Sequence, residues 1–234
     1  MHGLSFGQLK NPRVLRVSPK SNTNLPPQGR EPLQGEHSSW SEYFDLVKPR
    51  LRARAEGFEK IFNHLRHYTD AHELLIVETG SYREENNYEG DGCSSLLFDT
   101  FVDYHCGNFF SVDIDPVACN LTKEATKHCQ VYCEDSVEFL SNFKDEIDLL
   151  YLDSFNIEDW SNDWPAASHH LKELFAAHYC LSPGALVVVD DNIEHPLTRK
   201  KIGKGRLVRE LIEATNKATL IHDGYQLVYV WAEG

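Results

Sequence analysis

The chain has 234 residues, enough for one domain with a sizeable core plus an extension. A formal net charge of −13 leaves no excess of basic residues for phosphate contacts, so nucleic acid is not an expected partner. Six cysteines without CxxC spacing, no secretory apolar segment and no long apolar span point to reduced thiols, a cytoplasmic location and no membrane partner.

Residues 1–38 are rich in Pro, Asn, Ser, Gln and Gly with little periodicity, the composition of a flexible N-terminal arm. Residues 39–70 form an N-terminal helical segment, with Phe44, Val47, Leu51, Phe58, Ile61, Phe62 and Leu65 at helical spacing and a break near Pro49. Its basic residues Lys48, Arg50, Arg52 and Arg54 read as a solvated face. From residue 71 to 234 strand and helix patterns alternate. Leu74–Glu78, Phe109–Asp115, Gln130–Glu134, Ile147–Asp153 and Ala185–Asp190 read as strands. Helices follow from Cys93, Pro116, Ser136, Ala166 and Lys204. Two closing β runs, Thr219–His222 and Tyr225–Trp231, flank Asp223-Gly224, a hairpin signal.

Regular alternation implies an α/β fold with a doubly wound, mostly parallel, Rossmann-like sheet of seven strands. The short Asp-Gly link makes the closing hairpin antiparallel. In such sheets ligands bind outside the carboxyl ends of the strands, and here those ends are acidic: Glu78, Asp113, Asp135, Asp153, and Asp190 with Asp191. This architecture resembles that of class I S-adenosylmethionine-dependent methyltransferases. The run Val77-Glu78-Thr79-Gly80-Ser81 is similar to the family's first motif. It departs in the long stretch Tyr82–Glu89 before Gly90-Asp91-Gly92-Cys93-Ser94.

The resemblance implies a cofactor site made of Glu78, Thr79, Gly80, Ser81, Gly92, Ser94, Asp113, Asp135, Ser136 and Asp153, with Asp113 on the ribose and Asp135 near the adenine. Ser94 or Ser95, and Ser136, also read as helix caps, as does Asp135, and Asp115 reads as the cap of the helix begun by Pro116. Asp153, Asp190 and Asp191 sit on adjacent strand ends, and three facing carboxylates need a cation between them. Mg²⁺ or Ca²⁺ suits such oxygen donors, unless the three are only caps and turns. The same pattern resembles the metal site of catechol-type and macrocin-type O-methyltransferases. The lysine that catechol-type enzymes carry after the fourth-strand Asp is absent from Asp153-Ser-Phe-Asn156.

His195 is then the candidate general base, or else a surface histidine, with Asp153 as its catalytic neighbour. Of His169 and His170 one reads as packing against the sheet and neither as catalytic, and Gly203-Lys204-Gly205-Arg206 reads as a helix entry. The expectation is an S-adenosylmethionine-dependent O-methyltransferase, metal-assisted, acting on a small molecule or sugar. A homo-oligomer is compatible with it. The alternatives are an NAD- or nucleotide-sugar-binding oxidoreductase, disfavoured by the missing GxGxxG, and a non-catalytic binding domain of the same fold.

Overall fold

The computed structural model describes residues 39–68, 73–90 and 93–232. The arm expected over residues 1–38 and the cofactor residue expected at Gly92 lie outside them. The chain opens with α1 (Trp40–Val47), two short 3-10 turns over Lys48–Arg50 and Arg52–Arg54, and α2 (Ala55–Leu65). Pro49 sits in the first of those turns, where its missing N–H costs no helical bond. There follow β1 (Leu75–Thr79), α3 (Ser94–His105), β2 (Asn108–Asp113), α4 (Pro116–Ala125), β3 (Cys129–Cys133), α5 (Ser136–Asn142) and β4 (Ile147–Leu152). The remainder is α6 (Trp164–Ala177), β5 (Leu181–Val189), β6 (Asn192–Glu194), β7 (Lys201–Gly203), α7 (Arg206–Thr215), β8 (Ala218–Asp223) and β9 (Leu227–Trp231).

The main sheet has seven strands in the order β3-β2-β1-β4-β5-β9-β8. The first five are parallel, and β9 runs antiparallel to both β5 and β8. Every residue of β4 is buried, because helices cover both faces of a parallel sheet. On one face α1, α2 and α3 bring Trp40, Phe58, Phe62, Phe98 and Phe101 onto Tyr151 of β4. The ring centroids of Trp40 and Phe62 are 4.5 Å apart, and those of Phe98 and Tyr151 are 5.1 Å apart. The N-terminal helices therefore share this core, and truncating Phe58 would cost about 3–5 kcal/mol. On the other face Leu140, Leu174, Val208 and Ile212 pack against Val187 and Val189.

Three local readings change. The hairpin β6–β7 was not expected; it pairs Asn192 with Gly203 directly after the fifth strand. Ser94 and Ser136 are not caps. Cys93 holds the N-cap position of α3 without a side-chain bond, and at α5 Asp135 accepts from the Glu138 N–H at 3.0 Å. Asp115 does cap α4, accepting from the Val117 N–H at 2.9 Å. Among the described residues no helix is long and apolar enough to cross a membrane.

Candidate functional site

The strand order reverses between β1 and β4, since successive strands run outward from this pair in opposite directions. The ladder continues past both strands: the Asp153 N–H donates to the Thr79 carbonyl at 2.9 Å, and the Asp190 N–H to the Leu152 carbonyl at 3.1 Å. This aligns the ends of β1, β4 and β5. Gly80 follows β1 with φ +85°, and a Cβ there would stand 2.7 Å from the Asp153 carbonyl oxygen. Only glycine lets the two chains approach so closely at the switch point.

A cleft of about 470 Å³ opens above this point, lined by Gly80, Asp113, Asp135, Ser136 and Asp153, with Ile114, Phe155 and His169 around them. A second cleft of about 460 Å³ lies at the opposite strand ends, near Leu75, Asp148 and Ser182. Ligands of doubly wound sheets sit at the carboxyl ends, so the first is the candidate. Asp113 is fixed by two backbone donors, the Ser81 N–H (2.9 Å) on one oxygen and the Asp115 N–H (2.8 Å) on the other. Each oxygen keeps a lone pair for a ligand.

Glu78, Thr79, Ser81 and Ser94 are buried and do not line the cleft. Glu78 accepts from the Ser95 hydroxyl (2.6 Å) and the Ser111 hydroxyl (2.9 Å) on one oxygen, and its other oxygen has no partner. Burial pushes its carboxyl up to about 8, against the pull of Ser94, Ser95 and Ser111. Glu78 is thus a largely protonated support under the cleft at neutral pH.

The structure brings Asp153, Asp190 and Asp191 together, and two cationic side chains lie among them. Lys204 Nζ is 2.5 Å from Asp153 Oδ1 and 2.8 Å from Asp191 Oδ2. Arg54 sets Nε 2.6 Å from Asp190 Oδ2 and a second nitrogen 3.0 Å from Asp191 Oδ1. The Tyr151 hydroxyl donates to Asp190 (2.7 Å) and the Tyr225 hydroxyl to Asp191 (2.5 Å). Burial opposes the charge on Lys204, but Asp153 and Asp191 outweigh it and raise its pKa. Burial pushes Asp153 up to about 7 against the pull of Lys204, with Asp190 and Asp191 adding to the rise. Asp191 is held low, because Lys204 and Tyr225 overcome its burial.

The three residues expected to hold a metal are thus brought together, around cations of the chain itself. The cation that three carboxylates require is present as the ammonium and guanidinium of the chain itself. Among the described residues no group of three His, Cys, Asp or Glu side chains is placed to hold a metal ion. As arranged, five of the six carboxylate oxygens already hold Lys204, Arg54, a tyrosine hydroxyl or a backbone N–H, which leaves the set a poor fit for Mg²⁺ or Ca²⁺.

His195, the expected base, stands apart from the cleft. It lies at the tip of the β6–β7 hairpin, where its Nδ1 accepts from the Leu197 N–H (3.2 Å) and the Thr198 N–H (3.1 Å), and it does not line the cleft. The histidine on the cleft wall is His169, within 3.1 Å of the Ser136 hydroxyl and 3.3 Å of Glu173. Glu173 is fully buried on α6 and also accepts from the Ser136 (2.5 Å) and Ser154 (2.6 Å) hydroxyls. Its bond to His169 raises the imidazole pKa against burial. Next to it His170 is fully buried and held down at about 4 by desolvation. Glu173 sits nine residues after the Trp164 that starts α6, and no local pattern marked it.

No family model matches the chain, and no curated protein matches it. Among solved structures it is similar to MycE, a methyltransferase from the mycinamycin biosynthetic pathway in complex with Mg and SAH. The TM-score is 0.53 at 16% identity, covering 77% of this chain and 50% of that one. It is also similar to the O-methyltransferase NovP, with a TM-score of 0.50 at 12% identity, covering 82% of this chain and 80% of that one. The chain spans about half the length of MycE. At such identities the likeness is one of fold. The fold is that of the class I S-adenosylmethionine-dependent methyltransferases, as the strand order and the antiparallel β9 already indicate.

Proposed function

We propose that the protein is an S-adenosylmethionine-dependent methyltransferase acting on a hydroxyl of a small molecule or sugar. The observation that carries this reading is the acidic cleft at the β1/β4 switch point, with Gly80, Asp113, Asp135 and Asp153 on its wall. With Asp153 matched by Lys204, the carboxylates of Asp113, Asp115 and Asp135 still outnumber Arg83 on the wall, which favours a cationic nucleoside over the pyrophosphate of a dinucleotide. That separates this reading from a nicotinamide or nucleotide-sugar oxidoreductase.

Bound S-adenosylmethionine supplies an electrophilic methyl group on a sulfonium centre. Gly80 would allow its methionine part close to the chain. Asp113, held by the Ser81 and Asp115 N–H groups, would accept from the ribose hydroxyls. Asp135 and Ser136 would face the adenine edge, with exposed Ile114 and Phe155 as its apolar flanks. On the other side of Asp153 a void of about 10 Å³ lies between Leu51, Arg54, Tyr88 and Tyr151. An acceptor approaching that side would do so under the N-terminal segment.

Calorimetric titration tests the reading. S-adenosylmethionine and its demethylated product are expected to bind in the micromolar range, with NAD silent. Asp113→Ala should weaken binding at least about tenfold, the loss of one to two charge-assisted hydrogen bonds. Binding of NAD in preference to S-adenosylmethionine would refute it. For the acceptor, transfer of a labelled methyl group across a panel of sugars and phenols is expected to yield a base-stable ether. Label appearing only in amines would redirect the hydroxyl assignment.

A further inference from the structure

Lys204 is an unusual lysine. It is fully buried, and the segment around it is built to place it there. Gly203 before it has φ +121°, and a Cβ at that position would collide with the Asp191 carbonyl oxygen. After it, a Cβ on Gly205 would stand 2.6 Å from Asn192 Oδ1. The Lys204 N–H donates to the Asp191 carbonyl at 3.2 Å, the Gly205 N–H to Asn192 at 2.8 Å and the Gly203 N–H to Asp163 at 2.9 Å. The two glycines and the β6–β7 hairpin thus press this short stretch against the end of β5. The ammonium emerges between Asp153 and Asp191, and it also donates to the Asp153 carbonyl at 2.9 Å.

We propose that Lys204 is the resident cation of the acidic strand ends and makes this site independent of a divalent metal. Its ammonium takes the place between Asp153 and Asp191 that a hard ion would need, and Arg54 completes the neutralisation at Asp190. The groups facing it are the carboxylates of Asp153 and Asp191, which it contacts, and the buried imidazole of His170, while Arg54 and the Tyr225 hydroxyl hold Asp191 from its other side. Surrounded in this way the ammonium keeps its proton, so Lys204 acts as a fixed charge and not as a base. Asp153 lines the cleft and carries that charge at its back. Lys204 thus holds Asp153 in place from behind the cleft. The assignment of the cation stands on the cluster alone.

The test is thermal melting and calorimetry of the full chain with Mg²⁺, Ca²⁺ or Mn²⁺ at millimolar concentration, and with EDTA. Wild type is expected to show no metal-dependent change in Tm beyond about 1 °C and no heat of metal binding. Lys204→Met keeps most of the side-chain volume and removes the charge. It should lower Tm by about 10 °C, the scale for stripping one partner from a buried ion pair in a chain of this size. Lys204→Ala also leaves room, and there millimolar Mg²⁺ or Mn²⁺ should restore several degrees of the loss. Lys204→Arg retains a cation and should remain indifferent to metal. A wild-type Tm that rises by several degrees with metal and falls with EDTA overturns the proposal. So does a Lys204→Met protein as stable as wild type. If the uncharged variants do not fold, wild type and Lys204→Arg decide the question by the same readout. S-adenosylmethionine titrated into the same wild-type samples reports separately on the cofactor reading, with equal affinity expected in metal and in EDTA.

Discussion

Glu78→Gln isolates one buried carboxyl at the centre of the sheet. The side chain has no exposed surface, and one of its oxygens accepts from Ser95 and Ser111 while the other has no partner. Burial pushes its pKa from the ordinary 4.5 up to about 8. Below pH 4.5 the group is protonated in both the folded and the unfolded chain, and its stabilising effect is fully present. As pH rises the unfolded chain loses the proton first, so stability falls until the folded-state value near 8 is passed. The full span corresponds to about 5 kcal/mol, of which about 3.5 kcal/mol falls between pH 5 and pH 8. Glutamine has nearly the same shape, can accept from both serines through its carbonyl and cannot ionise. Urea unfolding of wild type and Glu78→Gln across pH 5–8.5 is the assay, with the variant overtaking wild type as pH rises. The difference between the two profiles cancels the titration of Asp153, His169 and other shared groups. Parallel profiles would show that Glu78 is ionised in the folded protein at neutral pH, and the argument from burial would fail.

Arg54→Met should destabilise the chain by about 3–5 kcal/mol, since it leaves Asp190 and Asp191 without the cation held 2.6 and 3.0 Å away; chemical unfolding at pH 7 measures this. Asp99 on α3 accepts from the N–H groups of Lys127, His128 and Cys129 at 2.7–2.9 Å, so Asp99→Ala should cost about 3 kcal/mol and raise hydrogen exchange at the entry to β3. His195→Ala removes only a turn cap and should change stability by about 1 kcal/mol or less, with S-adenosylmethionine affinity unchanged by calorimetry. A tenfold loss of affinity there would return His195 to the site.

Much of the fold was legible because its signals are local. Three valines ending in Asp190-Asp191, a Pro116 behind Asp115 and an Asp223-Gly224 between two β runs each encode structure within a few residues. Alternation of strand and helix then leaves few topologies, and the acidic strand ends mark the place of the cleft in the sequence. The hairpin β6–β7 escaped because strands of three residues carry too little pattern to register. The distance of His195 from the cleft was not legible, because spacing along the chain says nothing of where a hairpin loop points.

The partners of the acidic cluster were beyond the reach of sequence. Lys204 is 51 residues from Asp153, and Arg54 is 136 residues from Asp190. The need for a positive charge among three carboxylates follows from their placement on adjacent strands, and the sequence alone established that need. Which cation meets it depends on long-range packing: α2 lying on the sheet brings in Arg54, and the β6–β7 hairpin with its two glycines brings in Lys204. A local hint existed in Gly203-Lys204-Gly205, since glycines on both sides of one residue signal close approach of the backbone to something. Only the tertiary structure shows that the approach is to Asp191. Electrostatic pairing across a sheet is set by three-dimensional distance, and sequence separation does not encode it.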